Sequence, residues 1–128
     1  MGEKPPKAMR ILLVDDDAEV RDTIKLVLKM ERHEVVEASD GRQALDCLKQ
    51  NHFDLVITDY VMPEMSGDVV ATEVKRSNPS TPLIMITANA DLLPDRLQGV
   101  DRVLSKPFEV SELVQAIRDI GESGSAKA

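Results

Sequence analysis

The sequence predicts an α/β protein whose parallel sheet is covered by helices on both faces. Three observations predict it. Five short strand-like runs alternate with segments whose apolar residues recur at helical spacing. Three of those runs are apolar throughout, as strands buried on both faces are, whereas a strand with one wet face would alternate. The runs also stop abruptly at polar residues, at Asp15, Asp59, Thr87 and Lys106.

Element by element, Ile11 to Val14 is a continuous aliphatic run ending at three aspartates. Asp17 is placed to cap the helix that follows, whose apolar face is Val20, Ile24, Val27 and Leu28. Glu34 to Ala38 is a weaker second strand. Asp40-Gly41 then turns the chain into a helix carrying Ala44, Leu45 and Leu48 on one side. Leu55 to Thr58 forms the third strand and stops at Asp59. A loop with Pro63 and Gly67 leads to a helix that places Val70 and Val74 inward, up to Asn78-Pro79. Leu83 to Ile86 is the fourth strand, ending at Thr87. A short helical piece is expected between Asp91 and Gln98, interrupted by Pro94. Arg102 to Leu104 is a brief fifth strand ahead of Lys106-Pro107. The last helix carries Val110, Leu113, Val114, Ile117 and Ile120, with Glu109 near its positive N-terminal end.

A chain of 128 residues holds one domain, and 42% hydrophobic residues suffice for its core. With no Trp, one Tyr and two Phe, that core must be aliphatic. Residues 10–120 are read as the domain, 1–9 as a flexible leader, and the Gly- and Ser-containing 121–128 as a flexible tail or linker stub. Sixteen basic against twenty-three acidic side chains give a net charge of -7, which argues against direct nucleic-acid binding. No apolar run approaches membrane-spanning length, so no membrane insertion is expected. The single Cys47 cannot form an internal disulfide, and the expected location is the cytoplasm.

In an open α/β sheet, ligands bind beyond the C-terminal ends of the strands. Asp15 and Asp16 leave the first strand there, and Asp59 leaves the third. Like charges this close repel unless neutralised, and a hard divalent cation with oxygen ligands does so. The expectation is Mg²⁺ held directly by Asp16 and Asp59, and by Asp15 directly or through water. The backbone carbonyl of Val61 is a plausible further ligand. Lys106 is placed to pair with Asp59 at rest and with a phosphoryl oxygen after transfer, a task suited to a flexible point charge. A cis bond is suspected between Lys106 and Pro107. Thr87 offers a hydroxyl to the same group, and the small Ala88 leaves it room. Asp59 is then a carboxylate nucleophile for phosphorus, with no strong base in view to hydrolyse the product quickly. His33 and His52, in helix-to-strand connections, are expected to be solvated. No glycine-rich phosphate loop follows the first strand, and Cys47 is read as a packed side chain.

With these residues in place, the chain resembles the receiver domain of the two-component response-regulator family from Arg10 to about Ile120. The resemblance rests on Ile11 to Asp17, on Asp59-Tyr60-Val61-Met62-Pro63 with Gly67, on Ile86-Thr87-Ala88, and on Lys106-Pro107-Phe108. It implies a flavodoxin-like sheet in the order 2-1-3-4-5. Asp59 would be the phosphoacceptor, Asp15 and Asp16 the acidic metal pair, Thr87 the switch hydroxyl and Lys106 the family's lysine. The implied cofactor is Mg²⁺, with Mn²⁺ as a substitute. The implied donor is a phosphohistidine on a sensor histidine kinase or a histidine phosphotransfer domain, and the implied assembly a monomer or weak homodimer.

Two features depart from the family pattern. Val103 stands where the family often has Tyr or Phe, a ring that swings inward when the threonine engages the phosphoryl group. The stretch from Thr87 to Lys106 is also shorter by nearly one helical turn. The leading expectation is a phosphorylation-controlled relay module rather than a turnover enzyme, either alone or within a longer chain such as a hybrid sensor kinase. Its competitor keeps the fold as an interaction module without switching. A phosphatase of similar layout would need an acid-base carboxylate where Val61 stands.

Overall fold

The computed structural model describes residues 8–88, 91, 93 and 99–126. Its elements run β1 (Arg10–Val14), α1 (Ala18–Met30), β2 (Glu34–Ala38), α2 (Gly41–Gln50), β3 (Leu55–Asp59), α3 (Gly67–Ser77), β4 (Leu83–Thr87), β5 (Arg102–Ser105) and α4 (Val110–Ala126). The segment expected to hold a short helix, Asp91 to Gln98, lies largely outside the described residues. All neighbouring strands pair in parallel, in the order β2-β1-β3-β4-β5. Among the described residues, no helix is long and apolar enough to cross a membrane.

Strand pleating sends alternate side chains to opposite faces, so each central strand feeds two cores. Ile11, Leu13, Leu55, Ile57, Ile84 and Ile86 share one cluster with Ile24, Val27 and Leu28 of α1 and Leu113, Ala116 and Ile117 of α4. Leu12, Val14, Val56, Leu83 and Met85 share the other with Ala44 of α2 and Val70, Ala71 and Val74 of α3. This is why β1, β3 and β4 are apolar at successive positions. The edge strands β2 and β5 have one side open, and their partly exposed sequences follow from that. Each fully buried aliphatic side chain contributes about 1.5–3 kcal/mol.

Helices α1 and α2 start on side-chain caps. Asp17 Oδ1 accepts from Glu19 N at 2.9 Å and Val20 N at 3.3 Å, satisfying first-turn donors of α1. Asp40 Oδ1 accepts from Gln43 N at 2.8 Å, while Gln43 reaches back to Ser39 N at 2.9 Å. The start of α3 is fixed by contact instead. A Cβ on Gly67 would clash with the Asp59 carbonyl oxygen, so only glycine lets the helix press against the end of β3. Two expectations need correction. Helix α4 continues to Ala126, past Gly121, because the propensity cost of about 1 kcal/mol per glycine does not by itself end a helix. His33 is buried rather than solvated, because it packs beside Met9, whose N–H donates to its Nδ1 at 3.0 Å.

Candidate metal centre

The parallel strands carry their polar ends to one edge. Asp15 is the residue after β1, and its N–H extends the ladder to Ala38 of β2 at 3.2 Å. Asp59 is the last residue of β3, in register with Ile86 of β4. Both carboxylates are nearly closed off, at 1% and 7% exposure, while Asp16 beside them is exposed. One ligating oxygen from each of Asp15, Asp16 and Asp59 lies within 4.8 Å of the others.

Lys106 enters from beyond β5. Its backbone N–H donates to the Thr87 carbonyl at 2.8 Å, and the Lys106–Pro107 peptide is cis. Its Nζ stands 3.2 Å from Asp59 Oδ2 and 3.4 Å from Asp15 Oδ2, bridging the two buried carboxylates. One ammonium therefore faces three carboxylates, and negative charge remains in excess. Burial, and then the neighbouring Asp15 charge, raise the Asp59 pKa above the ordinary carboxylate value despite Lys106 and the Tyr60 N–H. Burial alone would lower Lys106, but Asp15 and Asp59 outweigh it and its pKa is raised.

Such an arrangement suits a small hard cation. The donors are carboxylate oxygens, two of them are screened from bulk water, and the local excess of charge calls for a positive partner. No cysteine or histidine takes part, so the cluster is not a zinc-type sulfur or imidazole set.

Of the predicted site residues, Asp15, Asp16, Asp59 and Lys106 form this cluster. Thr87 ends β4, fully buried and paired in register with Ser105. Val61 lies between β3 and α3 with a side chain 62% exposed, and Ala88 follows Thr87 at the surface. Val103 lies on the edge strand β5, opposite Met85, and is partly exposed. Sequence reasoning missed Arg21, whose Nη1 donates to the Asp15 carbonyl at 2.7 Å. Its spacing carries no signal for this contact, since the closure of its N–H on the Asp17 carbonyl is the bond any residue makes one turn into a helix.

Comparison with known proteins gives a consistent picture. The family model described as the response regulator receiver domain matches residues 11–118. The transcriptional regulatory protein CpxR of Escherichia coli K12 is 43% identical over 115 residues, covering 87% of this chain and 48% of that protein. A probable transcriptional regulator, ycf27 of Porphyridium aerugineum, is 35% identical over 115 residues, 87% of this chain and 47% of its own length. The chain thus spans about half the length of these curated relatives. Among solved structures, the response regulator TrrA of Thermotoga maritima, in complex with Mg²⁺-BeF, superposes with a TM-score of 0.81 at 32% identity, covering 87% of this chain and 97% of that one. A CheY-like receiver domain protein from Methanospirillum hungatei gives a TM-score of 0.89 at 26% identity over 95% and 100% of the two chains.

Proposed function

Because the chain belongs to the response regulator receiver domain family, we propose that it takes a phosphoryl group onto Asp59 in the presence of Mg²⁺ and so switches or relays a signal. The observation that carries this reading is the convergence of Asp15, Asp16 and Asp59 within 4.8 Å, with Lys106 bridging the two buried members. The Mg²⁺-BeF complex of the TrrA relative supports it.

Asp15, Asp16 and Asp59 hold the cation, with the Val61 carbonyl as a further ligand; Mn²⁺ is an alternative occupant. When bound, Mg²⁺ supplies positive charge against the phosphoryl oxygens. An Asp59 oxygen attacks phosphorus, the P–N bond of a protonated phosphohistidine breaks, and neutral imidazole leaves. Lys106, already 3.2 Å from Asp59, meets one phosphoryl oxygen as negative charge develops there. Thr87 donates its hydroxyl to another, and Ala88 leaves space beside it. Val61, exposed and apolar, offers no base to activate water, which favours a lasting aspartyl phosphate.

The donor is a sensor histidine kinase or a histidine phosphotransfer domain. The relatives named as transcriptional regulators are about twice as long, so any DNA-binding activity belongs to residues outside the matched region. With Val103 in place of an aromatic ring, output does not depend on a ring swinging inward at that position. The test is intact mass after incubation with acetyl phosphate and Mg²⁺. The expected result is one acid-stable, base-labile phosphate adduct, absent from Asp59→Asn. An unchanged mass in folded protein, with a donor active on another receiver, would sink the proposal.

A further inference from the structure

The turn that carries Asp15 and Asp16 is held from behind. Arg21, on the second turn of α1, donates from Nη1 to the Asp15 carbonyl at 2.7 Å and from Nε to Glu37 Oε1 at 3.2 Å. Only 18% of its side chain is exposed. Its backbone N–H closes on the Asp17 carbonyl at 3.0 Å, so one residue grips both ends of the Asp15–Asp17 turn. Glu37 lies on β2, the strand whose Ala38 carbonyl accepts the Asp15 N–H, and its other oxygen accepts Lys25 Nζ at 3.0 Å. The Asp15 peptide is therefore clamped between β2 and α1.

Two effects of Arg21 on a cation at the cluster oppose each other. Its positive charge repels the ion, while its grip keeps the carboxylates in place. Glu37 answers the charge directly, which weakens the repulsion. The grip needs a rigid fork that reaches a carbonyl and a carboxylate together, and lysine has no such fork. Groups that orient metal ligands from behind in this way typically cost 10–100-fold in affinity when removed.

We propose that Arg21 is a positioning residue for the acidic cluster: anchored by Glu37, it fixes the Asp15 carbonyl and the turn behind it, and thereby sets the affinity for Mg²⁺. The inference rests on the reading of Asp15, Asp16 and Asp59 as a Mg²⁺ site. Phosphoryl transfer in metal-saturated protein is left to Asp59 and Lys106.

The experiment titrates the metal-free, folded protein with MgCl₂, read by calorimetry and by fluorescence of Tyr60, the only tyrosine in a chain without tryptophan. Arg21→Ala is expected to weaken the Mg²⁺ Kd about tenfold. Arg21→Lys should weaken it similarly, and it carries the test alone if the alanine variant does not fold. Lys29→Ala removes an exposed cation of α1 that takes no part in the clamp, and should leave the Kd within about twofold. In the acetyl phosphate reaction, the Arg21 variants should need more Mg²⁺ for half-maximal rate but reach the wild-type maximum. An unchanged or tighter Kd in both Arg21 variants would overturn the proposal, as would a lowered maximal rate at unchanged Kd. Absence of saturable Mg²⁺ binding in the wild type would instead overturn the metal site on which it rests.

Discussion

The two edges of the sheet use their polar side chains in opposite ways. At the N-terminal edge they are spent on the strands themselves. Asp54 accepts the Arg10 N–H at 2.9 Å, Asp101 accepts the Leu83 N–H at 2.8 Å and Lys75 Nζ at 3.0 Å, and His33 accepts the Met9 N–H. These contacts satisfy backbone donors that would otherwise lack partners at the starts of β1 and β4. At the C-terminal edge, Asp15 and Asp59 are more deeply buried than Asp54 and Asp101, yet they share one lysine with an exposed Asp16 nearby. One edge closes the fold; the other keeps a charge imbalance that a cation and a phosphoryl group can use. Backbone donors reach this edge too, from Asp17 N to Asp15 Oδ1 at 2.9 Å and from Tyr60 to Asp59. The difference therefore teaches that a functional strand end is marked by several carboxylates converging on one lysine.

The largest effect should come from the point where the active edge depends on close packing. Gly67→Ala places a methyl group against the Asp59 carbonyl, so backbone must move. A loss of about 3 kcal/mol in chemical denaturation is expected, with slower phosphorylation of the remaining folded protein. Asp101→Ala sharpens the contrast from the other edge. It removes the acceptor of Leu83 N and the partner of Lys75, costing about 1 kcal/mol, while the acetyl phosphate reaction of folded protein keeps its rate. A change in that rate would break the separation between the edges.

His33 gives the smallest effect. Burial lowers its pKa, opposed by the Glu31 charge, and its Nδ1 is occupied as an acceptor. The neutral form is thus favoured in the folded state. Its contribution is present above the unfolded value of about 6.5 and is lost as pH falls through the lower folded value. Urea midpoints should therefore decline as pH drops from about 6.5 to the lower folded value, and His33→Gln should flatten this part of the decline.

Much of this contrast was legible in the sequence, for a physical reason. Strands buried on both faces must be apolar throughout, so β1, β3 and β4 announced themselves, and Asp15, Asp59 and Thr87 stood out where the runs stopped. The edge strands β2 and β5 are half-covered and gave weaker signals. What could not be read was tertiary. An arginine on α1 looks solvated until the turn beside it is placed, and Arg21 has a carbonyl partner only in the folded chain. His33 looked like an exposed loop residue because Met9, from the other side of α1, supplies its partner. Helix α4 outran its expected end because composition weighs glycine by local preference alone.

The central claim is that the C-terminal edge carries negative charge the fold does not neutralise. The raised Asp59 pKa means that its charge costs stability once pH is above the folded value, because burial and Asp15 disfavour the ionised form. The most direct test is the thermal midpoint of wild type and Asp59→Asn at neutral pH, each with and without saturating MgCl₂. Without metal, Asp59→Asn should melt above wild type. With Mg²⁺, wild type should gain by selective binding to the folded state, Asp59→Asn should gain much less, and the gap between them should shrink or reverse. A wild-type midpoint unmoved by Mg²⁺, together with an Asp59→Asn variant that melts lower in its absence, would contradict the account.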